Sequence, residues 1–583
     1  MPSQIRRLKI ERFRGIKSLT WYPSSNVNII LGGGDTGKTT ILDAITLLLN
    51  PTNTYVLTDA DYWNRDVNSE FAIEAVMSLP ENAAISQQSK MNWPWEWDGE
   101  NPVHPVDDLT DDSQERKIDP VYVLRVSGTS DQELAYEIIQ PDNSTAVFSA
   151  GLRREIGVVR LSGDDRNDRD LRLLQGSGLD RLLNDKGLRS RLARELASQN
   201  VTGQLRDDAQ KVLAILDSVF SGRSLPTELG LGIIGGPGAS LNALVGLTAN
   251  KDGVKLPLSN WGAGTRRLAA LAIADVLQKN HPITVVDEIE RGLEPYRLRT
   301  LIAAIKTGGA QVFITTHSVT AISAGSDTAI WYLDAKCQLG LLSDKSALHR
   351  KADPETFLSR LAVVCEGATE VGFVSFLLSK AINGSPEDHG IRVTDGGGHD
   401  SARRLLEALA DANLTFAGIV DNEDRGSGSW KEIKARLGDL LLQWPDGCLE
   451  EHVIRPFEIE KYQALIEDPE GELTGMRLRS LAERIGIYEK DFETIKTRAG
   501  DKLIETIIDA ATGKIPENYD TERYEKKLFQ GQASKWFKSE KGGRELAEKV
   551  FTLGAWPELK TEVLKFVNAI LKAVGLPPVE DLE

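Results

Sequence analysis

The hydrophobic pattern of this chain changes period along its length, and the changes predict its elements. The opening QIRRLKIERF alternates like a strand with one buried face. VNIIL (27–31), PITVV (282–286), QVFITT (311–316) and RLAVVC (360–365) are continuous apolar runs, as expected of strands buried on both faces of a sheet. ILDAITLLL, LAALAIADVL, ATEVGFVSFLLSKAI and SARRLLEALADA carry helical spacing instead. In the last helix, Val563, Phe566, Val567, Ile570, Leu571 and Val574 make one apolar face, a packing helix ended by Gly575 and two prolines.

Between these regular stretches the pattern weakens. Residues 165–222 hold helices with charged outer faces and predict a helical insertion, a candidate for dimer contacts. Residues 80–120 are polar and proline-containing and predict a loop. From residue 360 onward strands and helices alternate, which predicts a small parallel sheet with functional residues at the strand C-termini.

The residues at the end of each apolar run carry the chemistry. VNIIL runs into GGGDTGKTT, where Gly32, Gly37, Lys38 and Thr39 fill the fixed positions of G-x-x-x-x-G-K-[ST]. Backbone N–H groups of such a loop wrap phosphates, Lys38 reaches the outer ones, and Thr39 can ligate Mg²⁺. Asp35, inside the loop, and Thr40, just after it, join the candidate nucleotide contacts. The second run ends in Asp287, suited to hold Mg²⁺, and Glu288, suited to polarise an attacking water. The third ends in His317, a candidate γ-phosphate sensor. Ser259, Gly262 and Gly264 stand at the mouth of an apolar helix.

The fourth run ends in Glu366-Gly367, with Glu370 one helical turn on. Asp400, Asp421, Glu423 and Asp424 also fall at predicted strand ends. Acids gathered there without cations repel one another, whereas one or two Mg²⁺ ions turn the cluster into a favourable site. A helix cap at Glu366 and a first-turn acid at Glu370 are the competing readings.

Composition narrows the setting. At 583 residues the chain exceeds what one core can organise, so two to four domains are expected. Three widely spaced cysteines imply neither a disulfide framework nor a metal knot. No apolar stretch is long enough to span a membrane, and the N-terminus lacks the apolar core of a signal peptide, so a cytoplasmic protein is expected. A net charge of −17 argues against a surface coated for nucleic acid, but not against local patches or metal ions bridging carboxylates to phosphates.

Taken together, FRGIKSL, GGGDTGKT, SNWGAG, VVDE and TTHS resemble an ABC-type ATPase head of the SMC and RecF kind. That resemblance implies two heads sandwiching ATP, with Ser259 of one subunit facing the nucleotide held by Lys38 of the other, and so a homodimer or a dimer of dimers. SNWGAG departs from the usual LSGGQ signature. Glu366-Gly367 and the DNE at 421–423 resemble the Toprim fold, with glutamate in place of the final aspartate. A RecF-like head joined to a Toprim domain is the architecture of the OLD (overcoming lysogenization defect) family of ATP-dependent nucleases. The resemblance implies a DNA endonuclease using ATP and Mg²⁺, or Mn²⁺, in anti-phage defence, often beside a helicase-like partner. It implies three further site residues: Glu450 as a metal ligand, and a lysine at the scissile phosphate, Lys541 in preference to Lys538.

The expected organisation is therefore α/β: an ABC-type ATPase domain over 1–350 with its insertion, a Toprim domain over 356–470, and a helical extension over 471–583. Two rivals are a non-cleaving ATPase clamp and a topoisomerase or primase, the former predicting that Glu366→Ala leaves action on DNA unchanged. A topoisomerase needs a nucleophilic tyrosine, and none stands in a recognisable context.

Overall fold

The computed structural model describes residues 3–50, 55–80, 85, 93–105, 119–161, 202–233, 245–257, 261–262, 264–265, 268, 283–421, 427–468, 470–515 and 523–582. They fall into two compact units, one of Met1–Ile30 with Gly37–Ile330, the other of Leu31–Thr36 with Trp331–Glu583.

Among its described residues the first unit holds a large antiparallel sheet, a small antiparallel one of Gly230–Ile233, Val245–Lys251 and Val254–Pro257, and a set of parallel strands. In the large antiparallel sheet Gln4–Phe13 lies between Ile16–Trp21 and Phe71–Ser78, and Phe71–Ser78 pairs in turn with Pro120–Gly128. Its predicted alternation holds from Leu8 to Glu11, and a register shift between Ile5 and Arg7 keeps Ile5 buried as well. The parallel set carries β1 (Val27–Leu31), β2 (Ile283–Val286) and β3 (Val312–Thr315), with Val158–Leu161 outside β2. Nearly every side chain in β1, β2 and β3 is buried, which is why they read as unbroken apolar runs.

The loop expected over 80–120 is corrected in part. Trp95–Trp97 and Pro102–Val103 are short strands, and Trp95–Trp97 pairs with Pro120–Gly128. Trp95 and Trp97 pack on a small core of Val76, Val121 and Val123, and Trp95 Nε1 donates to Ile139 O. Burial of two indoles outweighs the loop-like composition around them. Residues 162–201, most of the expected insertion, lie outside the described residues, while Asp207–Gly222 is a helix.

The second unit is built on a four-stranded, wholly parallel sheet of β4 (Leu361–Cys365), β5 (Ile391–Asp395), β6 (Ala417–Val420) and β7 (Leu441–Gln443). Their order across the sheet is β5-β4-β6-β7. The chain leaves β4 through α2 (Ala368–Ile382) to one side, then crosses through α3 (His399–Asp411) to the other. That reversal puts a crevice outside the C-terminal ends of β4 and β6, where such sheets place their ligands. Helices cover the rest, among them α4 (Leu449–Ile454), α5 (Glu540–Thr552) and Trp556–Ala573. One continuous core joins Val363 and Ile419 of the sheet and Phe373 of α2 to Trp536, ahead of α5, and to Leu546 and Phe566 of the C-terminal helices.

The tightest helix contact is between α2 and α5. A Cβ on Gly372 would lie 1.9 Å from Glu540 O, and one on Gly543 would lie 1.9 Å from Thr369 O. Two backbones can approach this closely only where both helices present glycine. Thr369 Oγ1 donates to Phe537 O at 3.1 Å and ties the residues ahead of α5 to the first turn of α2.

Candidate functional sites

Along the chain the strand–loop–helix order is as the motif requires. Helix α1 (Lys38–Leu48) begins after Gly37, whose φ of 105° is left-handed, and Lys38 is buried at its start. Thr39 Oγ1, in α1, donates to Asp287 Oδ1, just after β2, at 3.3 Å, so the hydroxyl and carboxylate expected to share a Mg²⁺ meet. Thr315, at the end of β3, donates its hydroxyl to the same Asp287 oxygen and accepts the Glu288 N–H. Glu288 adopts a left-handed φ of 47°, a strained conformation for a residue with a side chain, and it projects to the surface beside Arg291. Thr40 is half-buried in the first turn of α1, and Asp35 is exposed with a left-handed φ of 58°. Gly32 belongs with the second unit, where a Cβ on it would meet Leu333 O at 2.3 Å.

His317 comes after β3 and is held by a residue that the motifs did not single out. Glu290 accepts the His317 N–H at 2.7 Å through one oxygen and the Thr316 hydroxyl through the other. Burial, and then the charge of Lys38, lowers the His317 pKa, which keeps the imidazole neutral at pH 7. Gly264 leaves room for the turn after β2: a Cβ there would sit 2.2 Å from Gly292 O. Gly262 meets nothing close among the described residues, and Ser259 lies outside them.

In the second unit the crevice between β4 and β6 collects acids from four places in the sequence. Glu366 comes directly after β4 and Asp421 directly after β6, and Glu366 Oε2 accepts the Asp421 N–H at 3.0 Å. Glu370, in the first turn of α2, is buried and accepts the Gly367 N–H at 3.0 Å, so it caps the helix and also faces the cluster. Glu450, in the first turn of α4, is 0% exposed. Asp421 Oδ1 accepts the Leu449 N–H at 3.0 Å, which fixes the start of α4 beside β6.

The crowding sets the electrostatics. Burial, then the neighbouring Glu450, pushes the Glu370 pKa up to about 7. Burial, then Glu370, Glu366 and Glu450, pushes Asp421 up to about 8. Neither Glu450 oxygen meets hydrogen-bond geometry among the described residues, and its charge is answered by Lys538 Nζ, 2.8 Å from Oε1. Burial alone would lower the Lys538 pKa, but Glu450 outweighs it and the ammonium is held charged.

Of the two candidate lysines, then, Lys538 stands in the cluster. Lys541 is 74% exposed and pairs with Glu470. Lys541 opens α5 on its solvent side, whereas Lys538 precedes the helix where the Phe537 carbonyl is tied to α2. Asp400 stands apart as well, 78% exposed in the first turn of α3 beside Arg403. Glu423 and Asp424 lie outside the described residues.

The donor set suits a hard divalent cation: carboxylate oxygens only, largely buried, one carboxylate, Glu450, outside hydrogen-bond geometry among the described residues and two with raised pKa values. Among the described residues no three acidic, imidazole or thiol groups already form a closed cage. Among the described residues, Lys538 brings positive charge to the cluster.

An ABC-type ATPase head joined to a Toprim α/β domain defines the class of this protein. The family described as "AAA domain, putative AbiEii toxin, Type IV TA system" matches residues 27–323, about half of the chain, and the protein belongs to it. The family described as "Overcoming lysogenization defect protein-like, TOPRIM domain" matches residues 357–423. No curated protein matches the chain in sequence.

Similar solved structures are ATPase heads. An Smc head bound to the C-winged helix domain of ScpA is 17% identical, covering 59% of this chain and 99% of its own, with a TM-score of 0.36. An Smc head from Pyrococcus furiosus, bound to the C-terminal domain of ScpA, is 13% identical over 60% and 99%, with a TM-score of 0.37. A RecF recombination mediator is 12% identical over 59% and 99%, with a TM-score of 0.33. Likeness at this level speaks to neither ligand nor partner. No helix among the described residues is long and apolar enough to cross a membrane.

Proposed function

We propose that this protein is a divalent-metal-dependent DNA endonuclease whose Toprim domain cuts under the control of its ATPase domain. The observation that carries the reading is the convergence of Glu366, Glu370, Asp421 and Glu450 on one crevice with Lys538. Burying four acids together is unfavourable for folding alone, so their gathering calls for a cationic ligand and an anionic substrate.

On this reading Glu366, Glu370, Asp421 and Glu450 hold Mg²⁺ or Mn²⁺, joined by Glu423. The cation, when bound, supplies Lewis acidity toward a phosphodiester and lowers the pKa of water. Lys538 then turns its ammonium from Glu450 toward the phosphate and offsets the charge that builds there during displacement. In the ATPase domain Lys38, Thr39 and Asp287 bind ATP with its Mg²⁺, Glu288 polarises water, and His317 senses the γ-phosphate. Exposed Glu288 and the signature residues Ser259, Gly262 and Gly264 suit a site completed by a second head, so a homodimer belongs to the proposal. The assigned domains are 1–350, 356–470 and 471–583. A role in phage defence beside a helicase-like partner is proposed from family resemblance.

The test is nicking of supercoiled plasmid by wild type, Lys38→Ala and Glu366→Ala, with Mg²⁺ or Mn²⁺ and with or without ATP. Metal-dependent nicking lost in Glu366→Ala and altered in its ATP response in Lys38→Ala supports the proposal. Nicking that survives Glu366→Ala sinks it, and absence of any DNA cleavage with ATP turnover intact favours a clamp.

A further inference from the structure

We propose that His399 is a positioning residue of the carboxylate site, holding one oxygen of Glu366 so that the other is presented to the cation. The proposal rests on the metal-site reading above and adds a residue from outside its motifs.

The backbone between β5 and α3 brings His399 there. Three glycines run through it, and Gly397 and Gly398 adopt left-handed φ values of 78° and 93°. The Gly396 N–H donates to Cys365 O at 2.7 Å and the Gly398 N–H to Glu366 O at 2.8 Å, which stitches this loop to the end of β4. Residues with a Cβ adopt that path only with strain. As a result α3 starts with the His399 ring laid against Glu366, its side chain only 10% exposed.

The ring nitrogens are not equivalent. Nδ1 lies 3.2 Å from Glu366 Oε2, and an ionised carboxylate only accepts, so the ring donates from Nδ1. Nε2 is buried with no hydrogen-bond partner among the described residues, beside the edge of Trp430 at 5.7 Å between ring centroids. Leaving that acceptor unpaired is unfavourable, so what the ring does through Nδ1 must account for its place. Glu366 Oε2 also accepts the Asp421 N–H at 3.0 Å. Two donors on one oxygen hold the carboxylate by Oε2, and on this proposal Oε1 is the oxygen given to the cation. Groups that orient metal ligands in this way typically change metal affinity by about 10–100-fold when removed.

The amide nitrogen of asparagine takes the place of Nδ1, whereas leucine supplies no donor. Mn²⁺ binding to the full-length protein, without DNA or ATP, is measured by titration with electron paramagnetic resonance for wild type, His399→Asn, His399→Leu and Glu366→Gln. Melting in EDTA checks the fold of each. The expected result is Mn²⁺ binding weakened roughly 10–100-fold in His399→Leu and within about threefold of wild type in His399→Asn. Unchanged affinity in His399→Leu, or equal loss in His399→Asn, overturns the proposal. If His399→Leu does not fold, His399→Gln, with its amide near the Nε2 position, replaces it in the comparison with the same expected loss. Wild-type affinity in Glu366→Gln shows instead that Mn²⁺ does not use this crevice, which overturns the metal-site reading together with the inference.

Discussion

Lys538 Nζ lies 2.8 Å from Glu450 Oε1, and the glutamate is wholly buried. The pair joins a residue just ahead of α5 to one in the first turn of α4, far earlier in the chain. Removing the lysine leaves a buried carboxylate uncompensated, which costs about 3–5 kcal/mol for a fully enclosed pair. The Lys538 side chain is 36% exposed, so a smaller loss, roughly 2–3 kcal/mol, is expected here. Lys538→Met should therefore melt several degrees lower in EDTA, recover part of that loss with Mn²⁺, and nick plasmid at least about 100-fold more slowly. Lys541→Met should match wild type in both assays. Equal damage in the two variants would show that Lys538 has no special part in cleavage.

The raised pKa values of Glu370, about 7, and Asp421, about 8, set a pH dependence. Unfolded, both groups ionise near pH 4. Between that value and pH 8 the folded protein retains protons that the unfolded chain has released, so stability falls as pH rises. Metal-free protein should lose melting temperature from about pH 7 to 8.5, above the range where His317 and His349, held low by burial, act in the opposite sense, and the stabilisation given by Mn²⁺ should grow over the same range. Carboxylates held low, such as Asp353 and Asp468, titrate below this window and do not mask it. A pH profile unchanged in Glu370→Gln would locate the effect elsewhere.

The glycine contact between α2 and α5 gives a sharper structural test. Gly543→Ala places a methyl against Thr369 O and should cost about 1–3 kcal/mol, lowering the melting temperature and nicking together as Lys538 moves away from Glu370. Gly531→Ala, in the helix Arg523–Ala533 with open space around it, should instead stabilise by up to about 1 kcal/mol. A melting temperature for Gly543→Ala at or above wild type would mean that the helices are not packed this closely in solution.

For the ATPase site, Lys38→Ala should abolish detectable ATP binding in a filter assay. Glu288→Gln should bind ATP as wild type does but hydrolyse it roughly 100-fold more slowly. Since Glu290 positions the His317 backbone, Glu290→Gln should slow hydrolysis with little change in ATP affinity. Normal turnover in Glu288→Gln would remove that residue from the chemistry.

What could be read from the sequence is what local physics determines. The phosphate loop needs its glycines, lysine and threonine close together in the chain, and the strands around it are buried on both faces, so pattern and motif coincide. Glu366 was visible for the same reason, as an acid ending an apolar run. The strand Trp95–Trp97 was not, because its stability comes from indoles packed on distant valines. Lys538 and Lys541 stand in one basic stretch, and no local signal separates them. Only the close approach of Gly372 and Gly543 sends one to Glu450 and the other to solvent. His399 was hidden likewise, since its place at Glu366 depends on backbone hydrogen bonds between two strands' ends. The sequence alone determined the elements and the motifs that end them, whereas tertiary packing decided which distant side chains share a charge, because that depends on helix and strand ends brought together by a core common to the whole unit.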